Sequence, residues 1–167
     1  MKIECPKCKA KYRTQSAVDS SSPVEVTCPK CRHRFTVEPF KEEKPAPKIL
    51  IVDDARFFRE LIMDLLDDRK FELTTANCGE EAWKLLQSDV FDLLIADVNL
   101  PDISGFDLIK RVRNDQHCAR LPILCISGIY RQDDDARQAF IAGANDFMTK
   151  SFHPEDFTAR IDKLLAK

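Results

Sequence analysis

The stretch KILIVDDARFFRELIMDLLD, Lys48 to Asp67, decides the fold. Four apolar residues, Ile49 to Val52, run straight into two adjacent aspartates, Asp53 and Asp54. A short continuous apolar run reads as a strand buried on both faces. Directly after it, Phe58, Leu61, Ile62, Leu65 and Leu66 fall on one helical stripe, so residues 55–67 read as a helix. A buried strand feeding a helix is the unit of a parallel α/β sheet. The paired aspartates sit badly in that picture. Like charges side by side at the end of a buried segment repel each other and lose hydration, so their placement needs a chemical reason.

The alternation continues to the C-terminus. Further apolar runs lie at Phe71–Ala76, Leu93–Ala96, Ile123–Ile126 and Asn145–Thr149. Between them, residues 80–87 align Ala82, Leu85 and Leu86, and residues 104–113 align Phe106, Ile109 and Val112. Residues 132–142 end at Gly143, a natural helix C-cap. The last helix opens at Pro154 and aligns Phe157, Ile161, Leu164 and Leu165. Five such units predict a doubly wound, five-stranded parallel sheet with helices on both faces. In open sheets of this kind, sites form beyond the carboxyl ends of the strands.

Those ends carry a consistent chemistry. The first strand runs out at Asp53 and Asp54, the third at Asp97, the fourth at Ser127 and the fifth at Lys150. Any one aspartate at a strand end is an ordinary turn or cap residue. Three carboxylates on one sheet edge are a different matter, because together they demand a cation. Mg²⁺ suits oxygen ligands of this type. An ammonium and a hydroxyl opposite suit an anion with several oxygens, such as phosphoryl. The set has the parts of a phosphoryl-transfer site, including a carboxylate nucleophile.

The composition bounds the setting. The chain has 167 residues, 44% hydrophobic and 32% charged, as in an ordinary globular protein. No apolar run approaches the ~18 residues of a membrane span. The N-terminus, MKIECPKCKAKY, lacks the apolar core of a signal peptide, so a cytoplasmic location is expected. The net charge of -2 hides an asymmetry: residues 1–38 carry eight Lys/Arg against four Asp/Glu, whereas residues 48–167 carry sixteen against twenty-two. Two units with different partners, or in contact with each other, would have this signature.

The basic segment also holds four of the seven cysteines. Cys5, Cys8, Cys28 and Cys31 form two CPKC knuckles nineteen residues apart, the spacing of a four-thiolate metal site. Zn²⁺ is the default ion and rubredoxin-like iron the alternative. IECPKCKAKYRT and VTCPKCRHRFTV are near repeats, with Tyr12 and Phe35 each four residues past the second cysteine. Each knuckle is expected to lead a β-hairpin, with the aromatics packed beneath the metal. About 38 residues bury too little core to fold without the ion, so its role is structural. His33 is surplus to four thiolates and reads as a surface residue. Cys78, Cys118 and Cys125 read as structural. The charged, proline-bearing segment 39–47 reads as a linker between a unit at 1–38 and one at 48–167.

ILIVDD, DLLIADVNLPDISGFDLIKRVR, PILCISG and AGANDFMTKSF carry a family resemblance. Residues 48–167 resemble the receiver domain of two-component response regulators, and residues 1–38 resemble small zinc-ribbon domains. The first resemblance implies a flavodoxin-like sheet of order 2-1-3-4-5. It makes Asp97 the phosphoacceptor, Asp54 a direct Mg²⁺ ligand and Asp53 a ligand acting largely through water. The backbone carbonyl of Asn99 completes the metal shell. Ser127 and Lys150 contact phosphoryl oxygens, and Phe147 is the aromatic switch that follows Ser127. It implies no enzyme activity beyond Mg²⁺-dependent self-phosphorylation and dephosphorylation at Asp97. The implied partners are a cognate histidine kinase or phosphotransfer protein and a downstream protein target, and a homodimer on activation is allowed.

Two positions depart from the family pattern. Ser151 replaces the usual proline after Lys150, leaving either a costly cis bond or a trans route for that loop. Phe147 replaces the commoner tyrosine. With the chain ending after its last helix, output is expected through the ribbon or a docked partner. A second reading is a receiver-gated regulator whose ribbon binds nucleic acid, which its +4 balance would allow. A phosphatase with an aspartate nucleophile would need a second acid where Asn99 stands.

Overall fold

The N-terminal hairpins are built around the CPKC turns. The computed structural model describes residues 2–13, 24–37, 45–128 and 132–166. The chain divides into two compact units, Met1–Pro45 and Ala46–Lys167. Residues 39–44 of the expected linker lie outside the described residues.

In the first unit, β1 (Lys2–Glu4) pairs with β2 (Lys11–Arg13), placing Ile3 opposite Tyr12. β3 (Val24–Thr27) pairs likewise with β4 (Arg34–Val37), placing Val26 opposite Phe35. The knuckles do not lead these hairpins, as expected from sequence, but close them. Cys5 donates its N–H to Ala10 (3.0 Å) and accepts at its carbonyl from Lys9 (2.9 Å); Cys28 does the same with His33 (2.9 Å) and Arg32 (2.8 Å). The chain thus reverses inside each knuckle, which brings the flanking residues into register. Lys9 and Arg32 adopt φ of 58°, a left-handed conformation that costs a side chain-bearing residue roughly 1–2 kcal/mol. Only Ile3, Cys5 and Cys28 are buried among the described residues of this unit, far too little apolar surface to offset that cost.

The second unit alternates strand and helix throughout. Its elements are β5 (Lys48–Val52), α1 (Arg56–Leu66), β6 (Glu72–Ala76), α2 (Gly79–Ser88), β7 (Leu93–Asp97), α3 (Gly105–Asn114), β8 (Ile123–Ser127), α4 (Gln132–Ala142), β9 (Asp146–Thr149) and α5 (Pro154–Leu165). The five strands pair in parallel in the order β6-β5-β7-β8-β9, which is 2-1-3-4-5 within the unit. Period-2 alternation sends neighbouring strand residues to opposite faces, and helices bury both. Leu50, Val52 and Ala96 join Ala82, Leu86, Leu108, Ile109 and Val112 in one core. Ile49, Ile51 and Ile95 join Phe58, Ile62, Phe157 and Ile161 in the other.

α4 packs through small side chains. It buries Ala139 and Ala142 but leaves Phe140 53% and Ile141 74% exposed. It ends at Gly143, whose φ of 109° turns its N–H back to the Ala139 and Phe140 carbonyls, both at 3.1 Å. No cis peptide bond occurs among the described residues, so the chain takes the trans route through Lys150-Ser151.

Candidate functional site at the sheet edge

Strand register assembles the pocket. Val52 pairs beside Ala96, Asp97 beside Ile126 and Ser127 beside Thr149, so Asp53, Asp97, Ser127 and Lys150 all emerge at one sheet edge. Asp53 and Asp97 are only 2% and 3% exposed, whereas Asp54 is exposed. One carboxylate oxygen from each of the three lies within 4.8 Å of the others.

Lys150 makes ion-pair contact with both buried acids. Its Nζ lies 2.6 Å from Asp53 Oδ2 and 3.0 Å from Asp97 Oδ2. Burial opposes its charge, but the hydrogen bonds to Asp53 and Asp97 outweigh that and raise its pKa above the usual lysine range. Burial pushes the Asp97 carboxyl above the usual carboxylate range, against the pull of Lys150; the Asp53 charge adds to the push. Asp53 is otherwise satisfied, because its Oδ1 accepts the Ala55 N–H at 2.8 Å. Asp97 is not: its buried Oδ1 has no hydrogen-bond partner. A buried, unpartnered carboxylate oxygen costs free energy unless something supplies a positive or covalent partner. An all-oxygen donor set with that orphan fits a hard divalent cation such as Mg²⁺.

Neighbouring residues hold this geometry. Arg59 Nη1 donates to the Asp53 and Asp54 carbonyls, at 2.6 and 3.1 Å. Lys150 Nζ sits 4.6 Å above the Phe58 ring, and Phe152 packs edge-on to Phe58 and stacks on Phe157. Gly105 is obligatory, since a Cβ there would stand 2.0 Å from the Asp97 carbonyl oxygen. Asp102 caps α2 from the loop after β7. Its carboxylate accepts the Gly79 N–H at 2.9 Å and the Glu80 N–H at 2.8 Å.

The other expected site residues are placed differently. Asn99 is exposed, two residues past Asp97. Phe147 is half-buried in β9, in register with Cys125, and packs on the α2–α3–α4 core. Ser127 is fully buried, and its hydroxyl donates to Asp135 Oδ2 on α4 at 3.0 Å. Sequence reasoning missed Asp135, Arg59, Phe58 and Asp102. Asp135 left a signal: it shares a helical stripe with Ala139 and Ala142, the buried pair of α4.

The cysteines of the first unit form a second cluster. Cys5 Sγ lies 3.6 Å from Cys31 Sγ, Cys8 Sγ lies 3.6 Å from Cys28 Sγ, and all four sulfurs are within 4.8 Å of one another. Tetrahedral bonds of ~2.3 Å require sulfurs about 3.8 Å apart, so the set fits one ion. All four are free thiols. The Tyr12 hydroxyl lies 3.4 Å from Cys28 Sγ. That contact, helped by the backbone amides of Cys31 and Lys30 and opposed by burial, holds the Cys28 thiol down to about 6. Tyr12 therefore packs at the cluster as expected, while Phe35 instead stacks with the half-buried His33, ring centroids 6.3 Å apart.

Comparison with known proteins agrees with this two-part layout. A family model described as "Response regulator receiver domain" matches residues 49–162, and a "zinc-ribbon domain" model matches residues 1–36. The chain is 36% identical over 121 residues to the chemotaxis protein CheY of Pseudomonas aeruginosa, covering 72% of this chain and 97% of that protein. It is 33% identical over 119 residues to the response regulator SaeR of Staphylococcus epidermidis, covering 71% of this chain and 50% of SaeR. It thus spans about half the length of SaeR and nearly all of CheY. A putative response regulator from Chloroflexus aurantiacus superposes with a TM-score of 0.70 at 35% identity, covering 73% of this chain and 99% of that one. CheY4 of Vibrio cholerae superposes with a TM-score of 0.67 at 31% identity, covering 72% and 99%. No helix among the described residues is long and apolar enough to cross a membrane.

Proposed function

The chain belongs to the response regulator receiver family, and we propose that it is a signalling switch set by a phosphoryl group on Asp97. The phosphoryl group comes from a histidine kinase or phosphotransfer protein. Asp97 Oδ1 attacks phosphorus, the N–P bond of the phosphohistidine breaks, an O–P bond forms, and the leaving imidazole takes up a proton. The observation that carries this reading is the orphaned Asp97 Oδ1, buried at the sheet edge beside two further acids and one ammonium. Mg²⁺, when bound, would neutralise these carboxylates and the incoming phosphoryl oxygens.

This chain's own residues supply the rest. Asp54 is exposed and free to ligate the ion directly; Asp53 has both oxygens engaged and acts through water. The Asn99 backbone carbonyl completes the set. Lys150 moves from the Asp97 carboxylate to a phosphoryl oxygen, and Ser127 donates its hydroxyl to another. Phe147 repacks into the space that the Ser127 region vacates. The four cysteines hold a structural Zn²⁺, and output passes through the ribbon or a protein docked on the receiver. Incubation of the full chain with Mg²⁺ and phosphoramidate, followed by mass spectrometry, tests the assignment. Asp97→Asn should abolish the added mass; unchanged modification refutes the role of Asp97.

A second reading rests on the exposed Lys7, Lys9, Lys30, Arg32 and Arg34 of the ribbon. These could contact nucleic acid under receiver control. Salt-dependent binding of the full chain to duplex or single-stranded DNA or RNA supports it, and no binding at low salt removes it.

A further inference from the structure

We infer that Asp135 is a positioning residue for the switch: it holds the Ser127 hydroxyl on α4 in the resting protein and must release it when Asp97 carries a phosphoryl group. The inference rests on the proposed role of Asp97 and adds a residue that neither the sequence motifs nor the family match assigns.

The geometry states the conflict. Ser127 is fully buried, and its Oγ donates to Asp135 Oδ2 at 3.0 Å. A hydroxyl carries one proton to donate. It cannot serve Asp135 and a phosphoryl oxygen together. The two carboxylates also act on common ground. The buried Cys125 thiol is pushed up to about 12, chiefly by burial and then by the charges of Asp97 and Asp135. Asp135 therefore stands within the field of the site.

A phosphoryl group brings up to ~2 negative charges to Asp97. It attracts the Ser127 proton and repels the Asp135 carboxylate, so both effects open the same hydrogen bond. α4 is suited to respond. Among its described residues, Ala139 and Ala142 are the buried apolar side chains, and Phe140 and Ile141 stay exposed. Elements with few buried apolar contacts move at low cost. The Ser127–Asp135 bond is thus a polar tie that phosphorylation must break before the first half of α4 can shift. Because the bond exists only in the resting arrangement, it opposes activation, and removing it favours the active one.

Beryllofluoride titration of the full chain at saturating Mg²⁺ tests this, with calorimetry as the readout. Asp135→Ala should bind beryllofluoride about tenfold more tightly, the scale of one hydrogen bond to a charged group. Asp135→Asn keeps the shape and an acceptor oxygen, and should gain about threefold. Mg²⁺ affinity should stay within about twofold of wild type in both, which a general disturbance of the pocket would not allow. In a Ser127→Ala background, Asp135→Ala should change beryllofluoride affinity by less than about twofold, since its partner is gone. A long-range charge effect would persist in that background, so an undiminished gain overturns the inference, as does no gain in Ser127-containing protein. Wild-type chain that phosphoramidate does not modify on Asp97 sinks the functional reading. Modification of Asp97 with unaltered Asp135 variants sinks the latch alone.

Discussion

Replacing Asp97 with asparagine should stabilise the metal-free second unit. Asp53 and Asp97 are 2% and 3% exposed and share one ammonium, at 2.6 and 3.0 Å. One cation neutralises one carboxylate, so the other charge is uncompensated, and Asp97 Oδ1 lacks even a hydrogen bond. Relieving a buried, unsatisfied charged group is worth about 2–3 kcal/mol. The amide oxygen can still accept from Lys150, at a loss of about 1 kcal/mol because it is neutral. The net expectation is a gain of about 1–2 kcal/mol at pH 7. Because the folded-state Asp97 pKa is raised, the wild type loses stability as pH rises from the unfolded value, ~3.9, through the folded one. The advantage of the variant should therefore be full at neutral pH and fade as the wild-type carboxyl takes up its proton. Trp83, the chain's one tryptophan, lies in α2, so its fluorescence follows the second unit during urea unfolding. With a slope of about 2 kcal/mol per molar, the midpoint in EDTA should rise by about 0.5–1 M. Mg²⁺ at ten times its Kd should add about 1.4 kcal/mol to the wild type and less to the variant, narrowing the gap. A variant less stable than wild type in EDTA, or equal Mg²⁺ increments in both, refutes the reasoning.

Four further outcomes follow from the same geometry. Asp54→Asn should reduce the Mg²⁺-dependent shift of the Trp83 transition, while Cys8→Ser in the ribbon should leave it unchanged. Metal analysis should find one Zn²⁺ per chain, and Cys8→Ser or a strong chelator should unfold the first unit, read by loss of its amide hydrogen-exchange protection. Asp102→Ala leaves two α2 amides uncapped and should cost about 1 kcal/mol in the urea assay. Burial opposes ionisation of Asp102, yet the Glu80, Gly79 and Ile103 amides hold it down to about 2, so its contribution is fully present above the unfolded value, ~3.9, and lost as pH falls from there through about 2. Gly105→Ala drives a Cβ onto the Asp97 carbonyl and should cost about 1–3 kcal/mol and weaken the Mg²⁺ response, seen in the same titration.

The fold was legible because the three central strands of the sheet, β5, β7 and β8, are buried on both faces. The runs Ile49–Val52 and Leu93–Ala96 are apolar at each position, and the helices that cover them keep a strict apolar stripe, so the two periods never compete. The chemistry of the pocket was legible for a related reason. A parallel sheet puts all its strand ends on one edge, so Asp53, Asp97 and Lys150 could be gathered without knowing a single distance. The knuckle hairpins were misplaced because CPKC names the ligands but not the reversal. That reversal depends on left-handed Lys9 and Arg32, residue types that give no warning of such a conformation.

Asp135 shows where such reading stops. The run Asp133-Asp134-Asp135 reads in sequence as one solvated face of a helix, and Asp134 is exposed. Only the helical period separates Asp135, which falls four and seven residues before the buried Ala139 and Ala142. A carboxylate on an apolar stripe must find a donor or lose hydration without return. The donor is on another element, at the end of β8, and strand pairing alone does not say that Ser127 faces α4. Lys150 poses the converse case. Without the family's proline, its loop runs trans, yet the ammonium still reaches both acids, held between them and the Phe58 ring. Charge attraction and aromatic packing thus set the position of Lys150 where the local backbone signal was missing, and an altered Phe58 should loosen Lys150 before it disturbs Asp53 or Asp54.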